Sequence, residues 1–158
     1  MAPSPRSVLH YTARFCLRTG TQIDLECSSL PQSGFASFLL EEEFYICGGY
    51  NGGRKISLSK LLKMDEWGKC RTLAPMKEGR RFFSLSGASS LLFAVGGWNR
   101  APHWICEHYQ AKTDKWKQLP PLNESWTWPG SCLLQSKRAF CFSGGAKYQV
   151  ETLEFKTN

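Results

Sequence analysis

The chain has 158 residues, 42% hydrophobic and 21% charged, which supplies enough apolar material for one packed domain and excludes a disordered or low-complexity chain. No apolar run approaches the ~20 residues of a membrane span, and residues 1–14 lack the apolar stretch of a signal peptide. The formal charge of +7 is spread over Arg54 and Lys55, Arg80 and Arg81, Lys115 and Lys117, and Lys137 and Arg138, which reads as a soluble basic surface with an acidic partner as one option.

Residues 1–11 read as a loose tail, with Pro3, Pro5 and Ser7 as breakers. Strands are predicted at Ala13 to Leu17 and Gln22 to Leu25, around a turn containing Gly20. A connection with Pro31 follows. Gly34 to Leu40 and Glu43 to Cys47 form a hairpin with Glu41 and Glu42 at its tip. Gly48-Gly49 then opens a loop, Tyr50 to Arg54. The next strand lies within Ile56 to Met64, and Cys70 to Leu73 is a short outer strand ended by Pro75-Met76. The same order restarts: Phe82 to Ser86, Leu91 to Val95, Gly96-Gly97, a loop from Trp98 to Pro102, Trp104 to Tyr109, Trp116 to Leu119, then Pro120-Pro121. It restarts again with Ser131 to Leu134, Ala139 to Ser143, Gly144-Gly145, and Tyr148 to Phe155. Helical periodicity is absent, and breakers recur too often for a helix of ten or more residues.

The restarts form a repeat. An apolar run ending in two glycines occurs as Phe44 to Gly49, Leu92 to Gly97 and Phe140 to Gly145. The second glycines fall at 49, 97 and 145, a spacing of 48 residues each time. A period near 50 points to a propeller or a similar array. Each apolar run reads as a buried strand, and the glycines Gly48, Gly49, Gly96, Gly97, Gly144 and Gly145 let it end with positive φ and let backbones approach closely. Four short antiparallel strands per unit is the plan of a propeller blade.

These residues resemble kelch repeats. The unit around Gly97 carries the family's later aromatic at Tyr109, its tryptophan at Trp116 and its Pro-Met-like pair at Pro121-Leu122. The unit around Gly49 has Pro75-Met76 in phase, but Cys70 stands in the tryptophan slot and Trp67 lies three residues earlier. The family's arginine before the inner strand is matched to Arg81 and replaced by Pro129 in the next unit. The resemblance covers residues 12–158: a partial unit 12–30, units 34–76 and 81–122, and a partial unit 130–158. It implies an all-β, kelch-type β-propeller fragment of about three four-stranded blades. About thirteen strands do not close a ring by themselves, since closed propellers have four to eight blades. A piece of a longer kelch chain is the expectation, and two copies closing one ring is the alternative.

Candidate chemistry is sparse. Gly48 to Gly53 followed by Arg54-Lys55 fails the phosphate-loop pattern, because Arg54 intervenes before the lysine and Ile56 stands where the pattern needs Ser or Thr. His103, Cys106 and His108 lie close in sequence, but 103 falls on the opposite strand face and no second cluster completes a closed zinc site. No catalytic residue, metal site or cofactor is expected. The seven cysteines form no C-x-x-C pair, and reduced, buried thiols in a cytoplasmic protein are the expectation.

In kelch propellers the loop after the glycine pair and the loop before the inner strand emerge on one face, which commonly binds partners. That resemblance implies a partner-binding set of Tyr50, Asn51, Arg54, Arg81, Trp98, Asn99, Arg100, Trp126 and Trp128, rich in the Trp and Arg that make binding hot spots. The alternative for the tryptophans is packing between blades. The implied function is a non-catalytic protein–protein interaction module, a scaffold or adaptor, with a protein partner and neither nucleic acid nor membrane. The runner-up is part of a kelch-like propeller enzyme, an oxidase or a sugar-modifying enzyme. No BTB, BACK or F-box pattern occurs within these residues, so a ligase role has no support from the sequence.

Overall fold

The computed structural model describes residues 12–15, 20–25, 33–102, 104–125, 129–134, 138–142 and 150–154. All regular structure among them is β. Strands β1 (Thr12–Phe15) and β2 (Gln22–Leu25) pair antiparallel. The next blade-like sheet contains β3 (Ser33–Leu40), β4 (Glu43–Asn51), β5 (Ile56–Ser57), β6 (Leu61–Met64) and β7 (Cys70–Leu73). Its order is β3-β4-β6-β7, with β5 paired to the end of β4. The following sheet is built from β8 (Ser84–Ala88), β9 (Leu91–Val95), β12 (Cys106–Gln110) and β13 (Lys115–Leu119), in that order from the inside outwards. Its loop holds a small hairpin of β10 (Trp98–Asn99) and β11 (Ala101–Pro102). Strands β14 (Gly130–Leu134), β15 (Arg138–Phe142) and β16 (Val150–Glu154) make a three-stranded sheet. The innermost strands β3, β8 and β14 lie beside one another in succession. Among the described residues the sheets do not close into a ring, and the described strands form an open, all-β array of kelch-like blades.

Three expected segments are corrected in detail. Ile56 to Met64 is two strands, because β5 pairs with the end of β4 and β6 with its middle. The loop from Trp98 to Pro102 is a hairpin turning at Arg100, which has φ 63°. The inner strand starts at Ser84 rather than Phe82, because Phe82 takes φ 53° and donates its N–H to Gly34 O at 2.8 Å. Gly144 and Gly145 lie outside the described residues.

The two complete blades pack face to face. Alternation along each strand sends Tyr45 and Cys47 from β4, Leu61 from β6, and Leu85, Leu92, Ala94 and Tyr109 from the next blade into one shared core. Phe38 of β3 lies over Gly87 of β8, where an added Cβ would stand 2.8 Å from the phenyl ring. The repeat's aromatic and tryptophan slots serve this interface. Tyr109 packs on Trp116 with ring centroids 5.4 Å apart and on Tyr45 at 6.3 Å. Trp116 Nε1 donates to Ala74 O of the preceding blade, and Ala74 N donates to the Asp114 carboxylate, which also accepts the Tyr109 hydroxyl. Burial raises the Tyr109 pKa first and the hydrogen bond to Asp114 adds to it. The two N–H and O–H donors hold Asp114 below the ordinary carboxylate range. The opposite face of the second blade carries a smaller apolar group, Val95, Cys106, Leu119 and Leu122.

The glycine pairs end β4 and β9 in left-handed backbone, with φ 64° and 102° at Gly48 and Gly49, and 64° and 105° at Gly96 and Gly97. A Cβ on Gly48 would sit 2.5 Å from Arg80 O, and one on Gly97 would sit 2.8 Å from Arg81 O. The backbone joining the blades therefore runs directly over both glycine pairs. Gly48→Ala and Gly97→Ala are expected to destabilise the chain by about 2–4 kcal/mol each, combining backbone strain with overpacking. Gly53→Ala, whose nearest neighbour would be 3.5 Å away, serves as the control within about 0.5 kcal/mol. Denaturant midpoints measure all three.

Candidate partner-binding face

Strand direction sorts the loops into two ends. The hairpin tips at Glu41-Glu42 and Ser89-Ser90 and the turns after β6 and β12 share one end. The segments after β4 and β9, with the blade-to-blade connector of residues 74–83, share the other.

The connector organises this second end. Arg80 N donates to Leu58 O at 2.9 Å, and Arg80 O accepts from Gly49 N at 2.8 Å, so it is hydrogen-bonded to the first blade. One residue later, Arg81 N and O bond Trp98 O and N, at 3.1 and 2.8 Å, joining the second blade. The Arg80 side chain is fully buried. Its guanidinium pairs with the Glu107 carboxylate and donates to Ile105 O at 2.7 Å and Gly96 O at 3.3 Å. Glu107 also accepts Lys77 N at 2.8 Å. The arginine whose side chain enters the blade is thus Arg80, one residue before Arg81, to which the family's arginine before the inner strand is matched in sequence. Adjacent residues on extended backbone point to opposite sides, so Arg81 turns outwards.

Arg81 lies with its guanidinium carbon 4.3 Å from the Tyr50 ring centroid and 5.7 Å from that of Phe82. Ser57 Oγ donates to Trp98 O at 3.2 Å, tying the two post-glycine loops together. Asn51 Oδ1 accepts Arg54 N at 2.9 Å and shapes the turn at residues 51–54. Tyr50, Asn51, Arg81, Trp98 and Asn99 are half-buried, whereas Arg54 and Arg100 are exposed. The structure brings Tyr50, Arg81 and Trp98 together around the connector, and places Asn51 and Arg54 on one flanking turn and Asn99 and Arg100 on the other hairpin. Trp126 and Trp128 lie outside the described residues. Two exposed tryptophans stand apart from the expected set: Trp104, which follows the β10–β11 hairpin, and Trp67, at the opposite end. In the sequence Trp67 stands out only as a tryptophan three residues before the repeat's tryptophan slot, and Trp104 only as the start of a predicted strand.

His103 lies outside the described residues, and among those described no three His, Cys, Asp or Glu side chains group as metal ligands. Cys47 and Cys106 are buried thiols outside any disulfide, and Cys106 Sγ donates to Trp104 O at 3.9 Å. Burial pushes the Cys47 thiol upward despite the Arg80 charge. Cys70 is disulfide-bonded, so the expectation of reduced cysteines fails there. His108 stacks near Phe93, with ring centroids 5.9 Å apart, and its buried Nδ1 has no partner among the described residues. Desolvation, then the Lys117 charge, lowers its pKa. No helix of the described residues is long and apolar enough to cross a membrane.

Comparison with known proteins agrees with this geometry. No family model matches the chain. The chain is 34% identical over 101 residues to Kelch repeat and BTB domain-containing protein 2 of Ectromelia virus (strain Moscow), covering 63% of this chain and 18% of that protein. It is 30% identical over 117 residues to Kelch-like protein 26 of Danio rerio, covering 66% of this chain and 18% of the relative. A putative F-box/kelch-repeat protein of Arabidopsis thaliana is 28% identical over 108 residues, 65% of this chain and 26% of its own length. The matched segment thus spans about a fifth to a quarter of these relatives.

Glu107→Ala leaves the Arg80 charge buried and unpaired, and is expected to cost about 3–5 kcal/mol in urea unfolding. The linkage at His108 has the opposite sign from an ion pair that gains from protonation. Its folded pKa is depressed, so the unfolded chain binds more protons and stability falls as pH drops through the ordinary His range. Thermal midpoints measured from pH 7.5 down to pH 5.5 are expected to fall, and to fall less in His108→Gln.

Proposed function

Because the matched segment is a kelch-repeat region, we propose that the chain is a non-catalytic interaction module that binds a protein partner through the loop end built around Tyr50, Arg81 and Trp98. Residues 12–158 are taken as the repeat domain, with 34–76 and 81–122 as its two complete blades. The observation that carries the reading is the connector. It pins Arg81 and Trp98 by paired backbone hydrogen bonds at the meeting of two blades, so that loop side chains are displayed on a rigid support.

Charge supports the same end. Its described loop segments, 50–60, 74–83, 96–102 and 104–105, hold Arg54, Lys55, Lys60, Lys77, Arg81 and Arg100 in addition to the Glu107-neutralised Arg80, with Glu78 as the one acid among them. The opposite hairpin tip carries Glu41, Glu42 and Glu43. A basic face of this kind steers acidic surfaces towards it. The relatives are described as kelch/BTB and F-box/kelch proteins rather than enzymes, which favours binding over the propeller-enzyme alternative. A cytoplasmic setting belongs to the same proposal.

Affinity capture from cell extract, read by mass spectrometry, tests the face. The combined variant Arg81→Ala, Trp98→Ala and Arg100→Ala is expected to lose captured partners by tenfold or more, since a loss of about 1.4 kcal/mol in total already gives tenfold and one hot-spot residue alone contributes about 2 kcal/mol. Glu42→Ala, at the far end, should capture them as the unmodified chain does. Equal capture by the triple variant removes the loop face as the binding surface.

A further inference from the structure

At the end opposite the loop face, the turn after β6 and the outer strand β7 frame a cleft of about 300 Å³, lined by Lys63, Asp65, Lys69, Cys70 and Arg71. Lys63 and Arg71 are direct cross-strand partners on β6 and β7. Like charges placed directly opposite destabilise a sheet, so this pair works against the fold that holds it. Glu43 compensates one of the two. Its carboxylate meets Lys63 Nζ at 2.7 Å, and both side chains are partly exposed. Lys69 and Arg71 are exposed, and neither side chain makes a hydrogen bond or an ion pair among the described residues. The nearby acids are committed elsewhere. Asp65 Oδ1 accepts the Trp67 and Lys69 backbone N–H groups at 3.0 and 2.9 Å. Asp114 of the second blade, on which the Arg71 charge acts, accepts Ala74 N and the Tyr109 hydroxyl instead.

Backbone fixes where these cations start. Asp65 N donates to Lys69 O and Gly68 N donates to Asp65 O, both at 3.1 Å, and Gly68 takes φ 82°, so the turn closes on itself. The β6–β7 ladder holds Lys63 against Arg71. One guanidinium fork and two ammonium groups therefore line one cleft from two strands and a turn. A carboxylate offers two oxygens in one plane, which a single fork satisfies. A phosphate monoester offers three oxygens and a charge near −2, so it accepts from a fork and from ammonium groups in different directions at once. The two unpaired cations, Lys69 and Arg71, match that charge. The cleft has room for more than the phosphate itself, and Trp67 is exposed on the same turn beside it. We propose that this cleft is a binding site for a phosphate monoester dianion, with Arg71 and Lys69 as its main ligands. Lys63 is the third, because an exposed ion pair such as Lys63–Glu43 is weak and exchanges partners at little cost.

The test uses the full chain with three probes: inorganic phosphate, acetyl-Gly-phosphoserine-Gly-amide and the same peptide without its phosphate. Arginine Nε–H resonances are followed by 1H–15N NMR, with the Arg71 signal identified by its loss in Arg71→Gln. At pH 7.5 the phosphopeptide is expected to shift the Arg71 signal saturably, and the plain peptide to bind about tenfold more weakly or worse. Affinity for the phosphopeptide should fall several-fold between pH 7.5 and pH 5.5, as an ester with a second pKa of about 6 takes up a proton and becomes a monoanion. Arg71→Gln and Lys69→Gln should each weaken it by about tenfold. Without ligand, Arg71→Gln should keep or raise the thermal midpoint, because the like-charge pair is gone, yet the phosphopeptide should no longer raise that midpoint. Lys117→Gln, which removes an exposed lysine of the second blade, should bind as the unmodified chain does. Inorganic phosphate binding as tightly as the phosphopeptide assigns the site to free phosphate, and tighter phosphopeptide binding assigns it to a phosphorylated protein segment. No saturable binding of either phosphate probe, equal binding of the two peptides, undiminished binding by Arg71→Gln, or an equal loss in Lys117→Gln would each overturn the site. Because the cleft and the loop face lie at opposite ends, failure of one reading leaves the other standing.

Discussion

The connector between the two complete blades is the constraint on which the rest depends. It crosses two glycine pairs at a distance that no side-chain carbon could tolerate, 2.5 Å at Gly48 and 2.8 Å at Gly97 for the Arg80 and Arg81 carbonyls. That approach allows Arg80 O to accept from Gly49 N while Arg81 exchanges both its backbone bonds with Trp98. Two successive residues thus belong to two different blades. The angle between the sheets is set by main chain, which has few alternatives, rather than by side-chain packing, which has many. Leu85, Leu92 and Tyr109 then meet Tyr45, Cys47 and Leu61 in one core because the connector has already placed their strands.

The Arg80–Glu107 pair fits that division of labour. Removing two charges from water costs several kcal/mol per ion, and their attraction repays it only where the remaining hydrogen-bonding groups are satisfied. Here the repayment is incomplete. Arg80 Nε has no partner among the described residues, while the rest of the guanidinium bonds Gly96 O, Ile105 O and Glu107. The pair is better understood as fixing register than as adding net stability. Glu107 accepts Lys77 N from the connector, and Arg80 bonds carbonyls on both β9's end and β12's start, so a slip of one residue would strand a buried charge. A hydrophobic pair of the same volume would pack but would not detect such a slip.

Most of the fold was legible because a blade is written in local signals. Apolar runs of five or six residues, glycine pairs and proline-ended outer strands recur at a spacing of 48, and the strands fall where those signals put them. What was not legible depends on which way one side chain turns. Arg80 and Arg81 are identical in composition and adjacent, and only the backbone shows that the first points in and the second out. A signal for the buried member existed. Glu107 occupies a position that alternates with Tyr109 on the core-facing side of β12, where an acid without a buried cation would be costly. The β10–β11 hairpin was missed because a two-residue strand with Arg100 at its turn carries none of the Asn-Gly or Asp-Gly signature. The disulfide at Cys70 was missed because an odd cysteine count with no close pair reads as reduced.

Backbone strain separates the two ends of the array in a way that bears on function. At the far end, Glu41 and Glu42, and Ser89 and Ser90, all have positive φ, between 49° and 66°. Each pair fills a two-residue hairpin turn, and positive φ at both central positions is what the right-handed strand twist requires there. That strain is a consequence of the hairpin, and Ser90 Oγ bonding the Glu41 carboxylate joins the two tips. At the loop end, Lys55, Phe82 and Arg100 also have positive φ, but the turns they occupy could be closed by glycine at lower cost. The strained residues are two cations and an aromatic, and of the three only Arg100 is of a type enriched in binding hot spots. Phe82 shows why such strain persists. At a φ of 53° its N–H reaches Gly34 O, which ties the connector to the start of β3, and its ring lies 5.7 Å from the Arg81 guanidinium carbon. The same connector that holds the blades together therefore also carries Arg81 and Phe82, the residues that the proposed binding face is built on.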